Sequence, residues 1–170
     1  MEGLARVAAQ VNALNQNALY RAPLADRPRL GKTVVGGCLH YNREGLCIDV
    51  DFSLPALRVI RSLEQVIEWR GRPKIIRCDN GPEYVSSALM QWAEKRHIKL
   101  QFIQPGKPQQ NAYIERYNRT VRYDWLAHHL FDSVADVQDF ATRWLWTYNH
   151  ERPNMALGGI TPIQKMALAA

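Results

Sequence analysis

One hundred and seventy residues, 46% apolar and 22% charged, suffice for one domain with a buried core, and no repeat or low-complexity tract interrupts them. The formal charge of +6 is weak support for a polyanionic partner, because half of it falls in residues 1–40, where five Lys/Arg face two Asp/Glu. No run approaches the roughly 18 consecutive apolar residues of a membrane span, no basic-then-apolar leader opens the chain, and Cys38, Cys47 and Cys78 lack disulfide-framework or zinc spacing; a soluble cytoplasmic protein with no membrane partner is expected.

In chain order, Met1–Leu19 reads as a weak helix on Leu4, Val7, Val11 and Leu14. Tyr20–Lys32, with Pro23, Pro28, Gly31 and four basic residues, reads as an irregular basic arm, and Thr33–Leu39 as a short strand. Leu46–Phe52 alternates as a strand. Ser53 is placed to cap a helix reaching Arg70, with Leu57, Ile60, Leu63 and Ile67 on one face and Gly71 and Pro73 ending it. Lys74–Cys78 is a strand, Ser86–His97 a helix with Leu89, Trp92 and Ala93 facing inward, and Ile98–Phe102 a half-buried strand. A helix follows from about Gln110 to His129 on Ile114, Tyr117, Val121 and Trp125. Another spans Val134–Tyr148, capped by Asp132 or Ser133 with Asp136, and packs through Val137, Phe140, Ala141, Trp144 and Tyr148. A Pro/Gly loop and a short terminal helix complete an α/β pattern, a mixed sheet with flanking helices.

Two carboxylates stand out. Asp79 ends the strand Lys74–Cys78, where Asn80-Gly81-Pro82 forces a turn and leaves the acid at a sheet rim. Glu115 lies one turn into a helix, behind the polar loop Gln104–Gln110. A strand end and a helix face can offer two acids to Mg²⁺ or Mn²⁺, hard cations that prefer oxygen ligands and keep waters for phosphate oxygens. Lys107, Gln109, Gln110, Arg116, Arg119 and Arg122 are candidates for backbone phosphate. Each has a plainer reading. Asp79 suits a turn, Glu115 pairs with Arg119 at i, i+4, and the arginines form a wet helix face. Trp125, Trp144 and Trp146 read as core.

The segments Cys78-Asp79-Asn80-Gly81-Pro82-Glu83-Tyr84 and Asn111-Ala112-Tyr113-Ile114-Glu115-Arg116-Tyr117-Asn118, with 35 residues between Asp79 and Glu115, resemble the integrase catalytic core of insertion-sequence transposases, the DDE group related to retroviral integrases. So does the tail Trp146-Thr147-Tyr148-Asn149-His150-Glu151-Arg152-Pro153-Asn154, and the likeness runs from about Tyr41 to Ala167. It divides the chain into a poorly matching basic segment, 1–40, and an incomplete integrase-core domain, 41–170.

The resemblance implies a ribonuclease H-like mixed sheet with flanking helices, its N-terminal strands missing or altered here. It implies metal-dependent DNA cleavage and strand transfer on insertion-sequence ends and target DNA by a homo-oligomer, with no small-molecule substrate. Asp79 would be shared between two metal ions, Glu115 would hold the second, and Asn111 would lie nearby. In that family a first catalytic Asp stands on the opening strand in a Trp-x-x-Asp-Phe setting. No such motif occurs here, and counting back lands near Tyr20 and Arg21. Asp49 and Asp51 occupy positions without catalytic duty in the family. The expected chain is therefore a catalytically impaired transposase core or, alternatively, a non-catalytic remnant that binds DNA or a partner.

Overall fold

The structure is a computed structural model that describes residues 8–14, 19–20, 34–39, 42–51, 55–78, 80, 84–104, 112–126, 128–131 and 133–168. In chain order its elements are β1 (Ala8–Leu14), β2 (Leu19–Tyr20), β3 (Val34–Leu39), β4 (Gly45–Val50), α1 (Ala56–Arg70), β5 (Ile75–Cys78), α2 (Ser87–Lys95), β6 (Lys99–Phe102), α3 (Ala112–Val121), β7 (Leu130–Phe131), α4 (Val134–His150) and α5 (Pro162–Ala167). A π-helical turn, Arg122–Leu126, prolongs α3, and a 3₁₀ turn, Met155–Leu157, precedes α5.

Five strands form one sheet in the order β4-β3-β1-β5-β6, while β2 and β7 make a separate parallel pair. β1 is central, antiparallel to β3 and parallel to β5, which is parallel to β6. The weak helix expected at the N-terminus is therefore a strand over Ala8–Leu14. Its alternating Ala9, Val11 and Ala13 suit a pleated strand, and the ladder partners on both sides override a marginal helical pattern. The opening strands of the sheet are altered in sequence rather than missing. β3 lies where a strand weakened by Gly36 and Gly37 was expected, and its register with β4 shifts between Gly37 and Cys38.

Helices cover both faces. α1 and α2 bury Val59, Leu63, Val66, Leu89 and Ala93 against Leu46, Ile76, Cys78 and Ile98. On the other face α3, the π turn and α4 gather Ile114, Tyr117, Val121, Trp125, Val137 and Ala141 around Ile48 and Val50. Trp125 is almost fully buried, stacked on Phe140, and Trp144 packs beside it. Trp146, expected in the core, is 54% exposed and stacks on His150 along the outer side of α4.

The helix ends follow sequence chemistry. Ser86 Oγ accepts from Leu89 N, Ser133 accepts from and donates to Asp136, and Thr161 with Gln164 forms a capping box ahead of α5. Gly71 ends α1 at φ 79°, as expected, but the N-cap is Pro55 with no side-chain cap. The expected cap, Ser53, lies outside the described residues.

Two side-chain amides of α4 line the outer edge of β4. Gln138 Nε2 donates to the Ile48 carbonyl at 2.8 Å while its Oε1 accepts from Val50 N at 2.9 Å. Asn149 Nδ2 donates to the Gly45 carbonyl and its Oδ1 accepts from Gly45 N, both at 2.8 Å. Eleven helical residues rise about 16 Å, nearly the span of five strand residues, so one helix serves both ends of the edge.

Candidate active site and nucleic-acid interface

β5 delivers the first candidate acid. Ile76 and Cys78 are buried, Cys78 is the last strand residue, and Asp79 follows it in sequence. Asp79 itself lies outside the described residues, as do Lys107, Gln109, Gln110 and Asn111. The residues either side of Asp79 are tied to the chain leaving β6: Ile103 N donates to the Cys78 carbonyl at 3.2 Å, and Asn80 Nδ2 donates to the Ile103 carbonyl at 3.0 Å. Asn80 is thereby anchored at the carboxyl end of two parallel strands, a usual location for ligand sites in α/β sheets; Gly81 and Pro82, with which it was expected to turn, lie outside the described residues.

The strand beside β5 is β1, in parallel register from Ala8↔Ile75 to Val11↔Cys78. The residue after Val11 is Asn12, and β1 contains no Asp or Glu. Asp49 and Asp51 do not supply the deficit. Both pair with Arg58, and Asp49 also accepts from Ser62. β4 lies three strand steps from β5, about 14 Å at the usual interstrand spacing.

The second acid rides on α3, which lies against β1 and β3 and buries Ile114, Tyr117, Asn118 and Val121. Glu115 is exposed in its first turn. At 3.6 residues per turn, Glu115, Arg119 and Arg122 centre on one side, whereas Tyr113, Arg116 and Thr120 centre on another, about 125° round the helix, with Arg116 and Arg119 about 60° apart. The three arginine candidates are therefore spread round the helix, Arg119 and Arg122 on the Glu115 side and Arg116 toward Tyr113 and Thr120. Among the described residues no ion pair joins Glu115 to Arg119, so the plainer reading of Glu115 as a paired helix acid is not realised.

Comparison with known proteins decides the family. Models described as "Integrase core domain" match residues 38–108 and 96–162, which together span most of the chain. The chain belongs to the integrase core family.

Relatives of this integrase core include the insertion element IS407 uncharacterized 31.7 kDa protein of Burkholderia multivorans, 40% identical over 122 residues, covering 72% of this chain and 44% of that protein. The insertion element IS476 uncharacterized 39.2 kDa protein of Xanthomonas euvesicatoria is 40% identical over 124 residues, covering 73% and 36% respectively. The chain thus spans less than half the length of these relatives. Among solved structures, the HTLV-2 integrase catalytic core domain in complex with magnesium superposes with a TM-score of 0.62 at 18% identity, over 96% of this chain and 98% of that one. The fold is thereby the ribonuclease H-like one, confirming the expected class.

Among the described residues the donors of this integrase core fall short of a two-ion metal site. Asp79 and Glu115 are two carboxylates, Gln10 and Asn12 are the only polar side chains on β1, and an amide oxygen lacks the charge that carboxylates bring to hard divalent cations. Among the described residues no group of three or more His, Cys, Asp or Glu is placed to hold a metal.

Sequence reasoning also missed a cleft of about 220 Å³ on the Arg116 side of α3. It lies between that helix face and the segment after α4, and Arg43, Arg116 and Arg152 all line it. The signal was present only in pieces, because Arg43 and Arg152 stand more than a hundred residues apart in the chain. Among the described residues no helix is long and apolar enough to cross a membrane.

Proposed function

We propose that this chain is the DNA-engaging core of an insertion-sequence transposase, acting on element ends and target DNA within a homo-oligomer, and that its own cleavage and strand-transfer chemistry is impaired. The observation that carries the reading is the pairing of Val11 with Cys78. Asn12 follows Val11 in the chain as Asp79 follows Cys78, and this correspondence supports reading Asn12, a neutral amide, at the position where the family needs a third carboxylate. Asp79 and Glu115 remain the residues toward which Mg²⁺ or Mn²⁺ is drawn, one ligand short of a two-ion arrangement. Residues 41–170 are the matching portion, and the first 40 residues contribute strands to it that lack the family's acid.

DNA retention does not depend on that acid. Arg119 and Arg122 share the Glu115 side of α3, and Lys107, Gln109, Gln110 and Asn111 lead into the helix, an arrangement suited to backbone phosphate. Each phosphate neutralised releases condensed counterions, so affinity should fall with salt by about 0.9 log unit per contact per log unit of salt.

The test combines fluorescence anisotropy on an end-containing duplex across a sodium chloride series with a nicking assay in Mn²⁺. Steeply salt-dependent binding is expected, the slope falling by about two when Arg119 and Arg122 are both changed to Ala. Any residual nicking should vanish in Glu115→Gln. A second reading, a non-catalytic remnant that binds DNA or a partner, rests on the same Asn12 and is selected by salt-dependent binding with no nicking at any Mn²⁺ concentration. Binding indifferent to salt removes the DNA reading altogether.

A further inference from the structure

We propose that the cleft between α3 and the segment following α4 is a second phosphodiester-binding site, separate from the Glu115 side of the helix; this rests on the DNA reading above. Arg43, Arg116 and Arg152 converge on it. Arg152 is held by an ion pair with Asp124 of the π turn, which fixes its direction. Arg43 sits over the Tyr113 ring, its Cζ 3.4 Å from the ring centroid, at a left-handed φ of 59° that is uncommon for a non-glycine residue. Its buried Nη1 has no hydrogen-bond acceptor among the described residues. Arg43 also lines the cleft, so its charge is offered there to an incoming oxyanion. Arg116 is exposed at the cleft rim, and no ion pair engages it among the described residues. The positive end of the Tyr113 environment is felt by its own hydroxyl, whose pKa is lowered, first by a hydrogen bond with Arg43 and then by that residue's charge.

Three guanidinium groups against one carboxylate leave the cleft cationic. Planar forks match phosphate oxygens in bidentate fashion. The volume is below the roughly 300–1,000 Å³ of pockets that enclose a drug-sized ligand, so the site suits one charged group of a longer polymer better than a free small molecule. Tyrosine rings interleaved with arginines are also what nucleic-acid surfaces use, since a ring accepts sugar or base without regard to sequence. α3 then presents two arginine faces, one beside Glu115 and one on the cleft, able to hold two separate stretches of backbone.

The test measures duplex binding by anisotropy against sodium chloride for the 170-residue chain, Arg116→Ala, Arg43→Gln and Arg119→Ala, with thermal melts to confirm folding. Arg116→Ala is expected to weaken binding roughly tenfold at low salt and to lower the salt slope by about one, and to add to the effect of Arg119→Ala. An unchanged slope in folded Arg116→Ala and Arg43→Gln, alongside a reduced slope in Arg119→Ala, overturns the cleft while leaving the DNA reading intact. Loss of salt dependence in the unaltered chain overturns both. Unchanged DNA affinity together with a sedimentation shift to monomer in Arg116→Ala assigns the cleft to an acidic segment of a second copy and likewise overturns the proposal.

Discussion

Val11 on β1 pairs in parallel register with Cys78 on β5, and the next residue along each path is Asn12 in one case and Asp79 in the other. The substitution that follows is Asn12→Asp. Added ligand charge is the main lever on divalent-ion affinity in oxygen-donor sites, so Mn²⁺ binding by isothermal titration should tighten by about tenfold or more. Asp79→Asn in the same background should erase the gain. An Asn12→Asp chain that binds Mn²⁺ no better than the unaltered one would sink the claim that this position is the vacant carboxylate.

The edge of β4 gives a prediction about stability. Asn149 is buried and makes two 2.8 Å hydrogen bonds to the backbone of Gly45, so Asn149→Ala strands a buried donor and a buried acceptor. A loss of about 2–4 kcal/mol is expected from urea denaturation. Gln138→Ala removes the equivalent pair at Ile48 and Val50 in a half-buried setting and should cost less, about 1–2 kcal/mol. Equal and negligible effects would mean that water replaces both amides along this edge.

The contrast between these two sites shows what the chain made legible. Helix positions, the cap at Ser133 and the stripe Val137, Ala141 and Tyr148 are local properties, written in periodicity and in side chains that bond their own turn. β1 was not legible, because Ala8–Leu14 is short on β-branched residues and becomes a strand through partners twenty or more residues away on one side and more than sixty on the other. Asn149 lay inside the matched tail motif, yet its role in closing an edge depends on a strand 104 residues earlier. Arg116, Arg119 and Arg122 illustrate the same limit within the site. Their spacing was visible, but which face of α3 meets the cleft depends on where the segment after α4 returns.

The buried acid Glu44 is a further test. It is 1% exposed, pairs with Arg70 at the end of α1, and accepts from Asn42 Nδ2 at 3.3 Å. Arg70 is partly exposed, so the pair joins the start of β4 to the helix without being wholly buried. Arg70→Met leaves the carboxylate with one neutral donor and should destabilise the fold by about 3 kcal/mol, whereas Glu44→Gln with Arg70→Met should recover part of that loss. Equal stability of the single and double variants would show that Asn42 and solvent suffice for the carboxylate.

Gly45 supplies the last prediction. A Cβ there would meet Leu145 Cδ1 at 2.5 Å and the Tyr117 hydroxyl at 2.7 Å, because α3 and α4 close over the first residue of β4 at this point. Leu145 ends in a flexible side chain, but Tyr117 is buried and packed edge-on against Tyr148, so only one of the two neighbours can give way. Gly45→Ala should therefore cost about 1–3 kcal/mol by overpacking. Trimming the movable neighbour with Leu145→Ala in the Gly45→Ala background should cost less than Leu145→Ala alone, a non-additivity of about 1 kcal/mol in a double-mutant cycle. Strict additivity would show that Tyr117, not Leu145, sets the limit at Gly45.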